Sequence, residues 1–505
     1  MISQTNATRN LFSVKYLLPL ALVLIFGLGM GVRMVDLSAP LLDFHPTRQL
    51  FAAIKARGLY YQTLPDAPTW QKDLSTRQLE NSATIEPPIM EHLAVFFYGY
   101  FGEQTAIPRL FSVIFWSVGG IFLFLLACSL TGSVPGAAAA LAFYMFLPYA
   151  LRASRAFQPD PLMVMLIIIF WWAVEHWGRN PAAWKWTLLA GVSGGLAIFV
   201  KFPAVFFIVG GAFGAILAHS DLRKVFRRPQ TWAMMLLGIL PPGIYLYYGL
   251  YVTRFLRQQF EDRFYPETLL SPNFYLRWFQ KVDQIASVPW LALAVLGALL
   301  FAKRPLRIFL LSLSGAYFVY GLVFDYHISS HDYYSLPLIP ILALALSPLA
   351  AELLARLWDR AQNSRLALAL VVGVFLFVFG ALSVEQYLDL RTNDYRAEAA
   401  FWVNMGSVLD HQPGVISLIT DYGYPLEYYG WQNTDPWLLA PDNKDLSNNF
   451  RTLAGKKSYF LVTDLHEFDL QVGLRTLLYR RYPILAQGPR YIVFDLLHPL
   501  KAVKP

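Results

Sequence analysis

Apolar runs of membrane length alternate with short polar and basic stretches through residues 1–388, and the pattern changes beyond them. Eleven segments stand out, near 16–34, 108–127, 135–150, 161–177, 187–200, 203–218, 231–250, 286–302, 307–324, 333–350 and 366–388. A helix of about 20 apolar residues crosses a bilayer, so the pattern predicts about eleven transmembrane helices. The first, "YLLPLALVLIFGLGMGVRM", follows Arg9 and Lys15, and no small-x-small cleavage site comes after it. It therefore predicts an uncleaved anchor with a cytoplasmic N-terminus. Residues 35–107 form a long outer loop. Within it, "PTRQLFAAIKARGLYY" (46–61) and "PIMEHLAVFFYGYFG" (88–102) suit helices lying in the interface plane.

From 389 onward the apolar runs shorten to strand length: "VISLITDYG", "SYFLVTDL" and "RYIVFDLL" read as buried strands, with a helix over "DLQVGLRTLLYRRY". The predicted organisation is an all-α transmembrane domain over 1–388 and a small α/β domain over 389–505.

Composition agrees. Charged residues make up 15% of the 505-residue chain, against about 25% in soluble proteins. The net charge of +8 does not signal nucleic acid, because "RKVFRR" (223–228), "KRPLR" (303–307) and "RLWDR" (356–360) each sit between apolar runs. That is the signature of cytoplasmic loops, and counting spans from them puts the C-terminal domain outside. The one cysteine, Cys128, excludes an intramolecular disulfide.

This topology sorts the ionisable groups by side. Asp43, His45, Arg48, Glu86, Arg152, Arg155, Asp160, Lys201, Arg254 and the run "FDYHISSHDYY" with His327, His331, Asp332 and Tyr333 all fall at outer ends of spans. Charge this close to apolar segments is costly and usually functional. Taken singly, each has a plainer role: Asp43 as a helix cap, Glu86 as a turn residue, the arginines as snorkelling cations, the histidines as loop residues. Lys201, inside an apolar hairpin, is hardest to explain that way. Together they predict a polar cavity facing outward. Asp43, His45, His331 and Asp332 are competent metal donors, but no tight ligand spacing links them, so neither metal nor cofactor is expected.

The order of these motifs resembles the GT-C fold of family 39 glycosyltransferases, which includes protein O-mannosyltransferases and the aminoarabinose transferase of lipid A. The resemblance rests on Asp43 after the first span, Glu86-Pro87-Pro88, "FGEQTAIPRLFSVIF", "FQPDPLMV", "GGLAIFVKFP" and "HDYYSLPLIP", over roughly residues 16–350. The mannosyltransferases follow the acid with a glutamate, whereas here Phe44 and His45 follow Asp43. "DFHPTRQ" is more similar to the bacterial branch that modifies lipids and polysaccharides.

The resemblance implies inverting transfer of one sugar from a polyprenyl-phosphate carrier to a lipid, glycan or protein acceptor, on the non-cytoplasmic face of a bacterial inner membrane. It implies catalytic carboxylates at Asp43 and Glu86, a donor-phosphate site at Arg152, Arg155, Lys201 and Arg254, and substrate contacts at His45, Arg48, Asp160, His331, Asp332 and Tyr333. The partners implied are the lipid-linked donor, the acceptor and membrane lipids. A lipid-linked glycan ligase or polymerase, and a flippase for lipid-linked sugars, are the rival readings. The absence of an internal repeat disfavours the flippase.

Overall fold

The computed structural model describes residues 14–84, 86–257, 265–361, 365–440 and 445–500; Arg9 and part of the basic 352–365 loop lie outside them. The chain divides into two compact units. One comprises the chain up to 37, 84–89 and 109–392; the other comprises 38–83, 90–108 and 393 onward.

In the first unit a helix stands at each of the eleven predicted places. Six helices among the described residues are long and apolar enough to cross a membrane, seven if a pair bent by 87° counts as one span. Four shorter apolar helices, Leu18–Arg33, Val134–Phe146, Trp184–Val200 and Ala204–His219, take the remaining places.

Small residues set the closest crossings. A Cβ on Gly195 would lie 2.3 Å from the carbonyl oxygen of Leu237, on helix Pro229–Tyr247. One on Gly210 would lie 2.5 Å from the Ala316 methyl, on helix Arg304–Val323. Gly191 and Gly195, and likewise Gly210 and Gly214, are spaced four apart, which lets helix backbones approach where no hydrophobic effect drives them together.

The bent pair holds a helix that the hydropathy pattern missed, Pro272–Ala286. It buries Phe274, Trp278, Ile285 and Ala286 and leaves the rest of its surface largely open, so no apolar run betrays it. Ser287 takes a φ of 43° between this helix and the span that begins at Val288, and the chain turns there.

The second unit is built on a five-stranded sheet: β1 (Val415–Leu418), β2 (Thr434–Pro436), β3 (Tyr459–Val462), β4 (Ile484–Gly488) and β5 (Tyr491–Asp495), in the order β2-β1-β3-β5-β4. β1 pairs in parallel with β2 and β3, while β5 pairs antiparallel with β3 and β4. Successive side chains alternate between faces. Ile416, Leu418, Phe460, Val462, Ile492 and Phe494 pack with Trp437, Phe450 and Phe468. Val415, Leu461 and Val493 pack with Trp402, Met405 and Leu426. Both faces are covered, which is why β1, β3 and β5 read as apolar runs.

This unit also contains helices Pro46–Gln62, Thr69–Asn81 and most of Ile89–Phe101. The first is buried along most of its length, including Lys55 and Arg57. Arg57 explains how a cation can sit there. Its guanidinium lies 3.9 Å from the centre of the Tyr428 ring and 4.1 Å from that of Trp431. It pairs with Glu103 at 2.9 Å and donates to the Tyr428 carbonyl at 2.5 Å. A planar, five-donor cation meets all of these at once; a lysine could not.

Helix Tyr424–Tyr429 carries an acid in an unfavourable place. Burial first, and then the Asp435 carboxylate, raise the Glu427 carboxyl to about 8, against a backbone N–H of Thr434 that favours the charge. The native state thus holds a proton that the unfolded chain releases near 4.5. Glu427 therefore lends stability that is fully present below about 4.5 and lost as pH rises through about 8. Glu427→Gln is expected to flatten this loss and to raise the melting temperature at pH 8 more than at pH 5. Parallel melting profiles of the two proteins from pH 5 to pH 8 would contradict this.

Candidate functional site

Lys201 sits at the tip of the hairpin between helices Trp184–Val200 and Ala204–His219. Pro203 stops the first helix from running on, because proline clashes with a helical residue before it. Lys201, the residue that ends the first helix, is extended, with φ −155° and ψ 115°, and its side chain turns inward to 4% exposure. Its ammonium lies 2.9 Å from Asp160 Oδ1, and Asp160 is 1% exposed at the start of helix Asp160–Arg179. The rings of Tyr333 and Tyr334 lie 5.0 and 4.8 Å from the same nitrogen. A buried ammonium thus has one carboxylate and two aromatic faces around it.

Lys201 also lines an open pocket. Glu86 and Pro87 form part of its wall, with Tyr245, Phe202, Phe324 and Tyr334 among the other lining residues. The pocket borders a helix that carries Pro241 and Pro242 inside it and ends in the wide turn Tyr248–Val252. Proline removes backbone donors and disturbs regular helix, which leaves room for such a recess.

The other predicted residues of this unit divide. Asp332 lies beside Tyr149, and its Oδ1 accepts from the Tyr333 backbone at 2.7 Å. His331 stacks on His327 at 5.9 Å and is hydrogen-bonded to Ser330 at 2.7 Å. Arg152 is held bidentately by Asp389, at 2.9 and 2.5 Å. Arg155, 2% exposed, donates to the Asp36 carbonyl at 3.0 Å. Arg254 is exposed on a left-handed backbone, φ 63°. Lys201 and Glu86 line the pocket; Arg152, Arg155 and Arg254 do not.

In the other unit, Asp43 is half-buried and accepts from Gln49 Nε2 at 3.1 Å; the same nitrogen donates to the Phe44 carbonyl at 2.6 Å. His45 precedes helix Pro46–Gln62 with φ 44° and makes no side-chain cap. Arg48 lies near enough for its charge to act on Tyr424. Among the described residues no three His, Cys, Asp or Glu side chains converge as a metal site would require.

Several participants were not singled out in the sequence. Asp389, in "YLDLR" at the end of the last span, had the same signal as the others, a charge beside an apolar run. Arg33 closes the first span, fully buried, donating to Ser154 Oγ at 2.7 Å and to the carbonyls of Gly29 and Met145. It ties the first helix to the segment bearing Arg152 and Arg155. Tyr149, Tyr245 and Tyr334 carry no such signal, because tyrosine is common at membrane interfaces.

The Lys201–Asp160 pair gives a sharp stability expectation. Removing one partner leaves a buried charge uncompensated, which costs about 3–5 kcal/mol, whereas replacing both by apolar residues often costs little. Asp160→Leu and Lys201→Met are each expected to lower the melting temperature strongly, and the double substitution to recover most of the loss. Additive losses in the double variant would show that the two charges do not support each other.

Residues 85–247 match the family of Dolichyl-phosphate-mannose-protein mannosyltransferases. A comparison with curated proteins returns no match. Among solved structures, the chain is similar to ArnT from Cupriavidus metallidurans in the apo state, with 15% identity, a TM-score of 0.59, and coverage of 94% of this chain and 97% of that one. The same protein bound to undecaprenyl phosphate gives 14% identity and a TM-score of 0.59, covering 96% and 98%. The Archaeoglobus fulgidus oligosaccharyltransferase in complex with Zn and sulfate is more distant, at 12% identity and a TM-score of 0.50, covering 92% of this chain and 71% of that one. With its apolar helices and small C-terminal sheet, the chain is a multi-pass membrane protein of the GT-C glycosyltransferase fold.

Proposed function

We propose that the protein is an inverting glycosyltransferase that moves one sugar from a polyprenyl-phosphate carrier to an acceptor on the non-cytoplasmic face of a bacterial inner membrane. The observation that carries this reading is the pocket at Lys201. All its lining residues except Leu256, Phe324 and Tyr334 fall within the segment that matches the mannosyltransferase family. A buried ammonium at the wall of a pocket that is aromatic and aliphatic apart from Glu86 suits a lipid phosphate. The anion finds a cation in surroundings of low dielectric, and the prenyl chain finds apolar surface. Undecaprenyl phosphate is bound in the structure of ArnT, whose fold this chain shares.

In this reading Lys201 holds the donor phosphate, and Asp160, 2.9 Å away, pairs with the ammonium and aims it when the pocket is empty. Arg254, exposed on its left-handed backbone, is the second candidate cation. Arg152 and Arg155, engaged by Asp389 and the Asp36 carbonyl, serve the scaffold that carries Asp160. The reaction forms a bond between an acceptor oxygen and the anomeric carbon and breaks the bond from that carbon to phosphate oxygen. The phosphate leaves with the electron pair, and one carboxylate takes the acceptor proton. We assign that step to Asp43, in the segment that follows the first span. Gln49 Nε2 donates to its Oδ1 and orients the carboxylate. Direct displacement inverts the anomeric carbon.

The orientation rests on the basic loops at 219–230, 303–307 and 352–365, which belong inside. A periplasm-dependent reporter fused to the C-terminus is expected to be active, and activity confined to a cytoplasmic reporter would reverse the assignment.

The reaction itself is tested on Asp43→Asn. Asparagine keeps the size and most of the hydrogen bonding but loses the basic lone pair. Single-turnover transfer from a radiolabelled undecaprenyl-phosphate sugar is expected to fall by about 10²–10⁴-fold, the usual worth of a positioned base, with donor affinity unchanged. A helix cap would tolerate asparagine nearly as well as aspartate. Turnover within a few-fold of wild type would therefore remove Asp43 from the chemistry.

A further inference from the structure

In the C-terminal unit the backbone turns left-handed three times in succession, at Asp421, Tyr422 and Gly423, with φ of 51°, 56° and 83°. Glycine enters this region freely, whereas a bulky L-residue there is strained. At Tyr422, with φ 56° and ψ 16°, glycine would be the easier choice. The side chain is 57% exposed, so burial does not explain the tyrosine either. Strain of this kind persists where the surroundings enforce it, and it gathers at ligand-contacting sites.

The surroundings here belong to the segment assigned the catalytic base. Thr47 Oγ1 donates to Asp421 Oδ1 at 2.8 Å, four residues beyond Asp43 in the chain. The Phe51 ring lies 5.8 Å from Tyr424, whose own ring lies 6.2 Å from that of Tyr422. On the sheet side, a Cβ on Gly423 would lie 2.6 Å from the Thr434 methyl, so the turn has no room to shift that way. His45, next to Pro46, is left-handed as well, at φ 44°. Residues 45–47 and 421–422 are thus two strained, polar stretches joined by a hydrogen bond within one compact unit.

We propose that Tyr422 is an acceptor-contacting specificity residue, its exposed ring and the adjacent Asp421 receiving the hydroxylated group of the acceptor beside the segment that carries Asp43. The proposal rests on glycosyl transfer as the reaction. A tyrosine offers an apolar face and a phenolic hydroxyl on a rigid, two-torsion side chain. That combination matches a ring with C–H faces and a rim of hydroxyls.

Strain makes the test direct. It uses the full-length protein in nanodiscs, radiolabelled undecaprenyl-phosphate hexoses and pentoses as donors, and graded lipid extract of the native membranes as acceptor. Tyr422→Gly removes the strain, so its melting temperature is expected to hold or rise. The acceptor amount that gives half-maximal transfer is expected to rise roughly tenfold or more while donor affinity stays the same. Tyr422→Asn, which also tolerates the left-handed region, is expected to behave alike. An unchanged acceptor requirement in both variants overturns the proposal, as does a marked loss of stability in both, which would make the tyrosine structural. A wild-type protein that transfers no sugar overturns the reaction and the proposal with it, and is seen before any variant is compared.

Discussion

An ammonium buried at the tip of an apolar hairpin must meet an anion, and in this protein that requirement organises the end of the transmembrane unit that carries the hairpin. Moving such a charge out of water costs several kcal/mol even after relaxation. Lys201 meets the requirement through Asp160 at 2.9 Å and two tyrosine rings. Asp160 is held by the proline-broken segment between helices Pro148–Ala153 and Asp160–Arg179, where Pro159 and Pro161 prevent a continuous helix. Arg33 and Arg155 pin that segment through Ser154 and the Asp36 carbonyl. Tyr333 and Tyr334 come from the break between helices Asp325–Ser330 and Leu338–Ala361. The pair thus depends on two interruptions of helix, and the pocket opens beside it.

The same dependence explains what could be read from the chain beforehand. The eleven apolar segments were legible because helix length and hydropathy are set by the bilayer, not by neighbours. The buried strands β1, β3 and β5 were legible because both faces of the sheet are covered. β2 and β4 were not: β2 is three residues ending in proline, and β4 lies exposed at the sheet edge. Helix Pro272–Ala286 was missed for a related reason, since only one stripe of it is apolar. At the site, Lys201 and Asp160 were both singled out from charge placed against apolar sequence, but separately, Lys201 for the donor phosphate and Asp160 as a substrate contact. Their pairing is a tertiary fact, 41 residues apart, that no local pattern carries. Arg152 and Asp389, 237 residues apart, make the same point.

The second unit follows a different physical rule. Its core is an ordinary two-faced sheet, yet Arg57 sits in it 5% exposed, stacked between Tyr428 and Trp431, and Glu427 holds a carboxyl raised to about 8. Both groups tie helices from the 38–83 stretch to the C-terminal chain: Arg57 through the Tyr428 carbonyl, and the Glu427 carbonyl through Gln78 at 3.1 Å. The 38–83 stretch and the C-terminal chain therefore belong to one folding unit, and the segment bearing Asp43 is positioned by a residue 388 positions away, as the bond from the Leu41 N–H to the Tyr429 hydroxyl shows.

The central claim is that the pocket at Lys201 holds a polyprenyl phosphate. Native mass spectrometry of the purified full-length protein, released gently from nanodiscs, measures this without knowledge of sugar or acceptor. The expected result is a retained lipid with the mass of a polyprenyl monophosphate or its glycosyl ester, and its loss from Lys201→Gln prepared in parallel. A retained lipid diphosphate, or equal retention of the monophosphate by the Lys201→Gln protein, would contradict it.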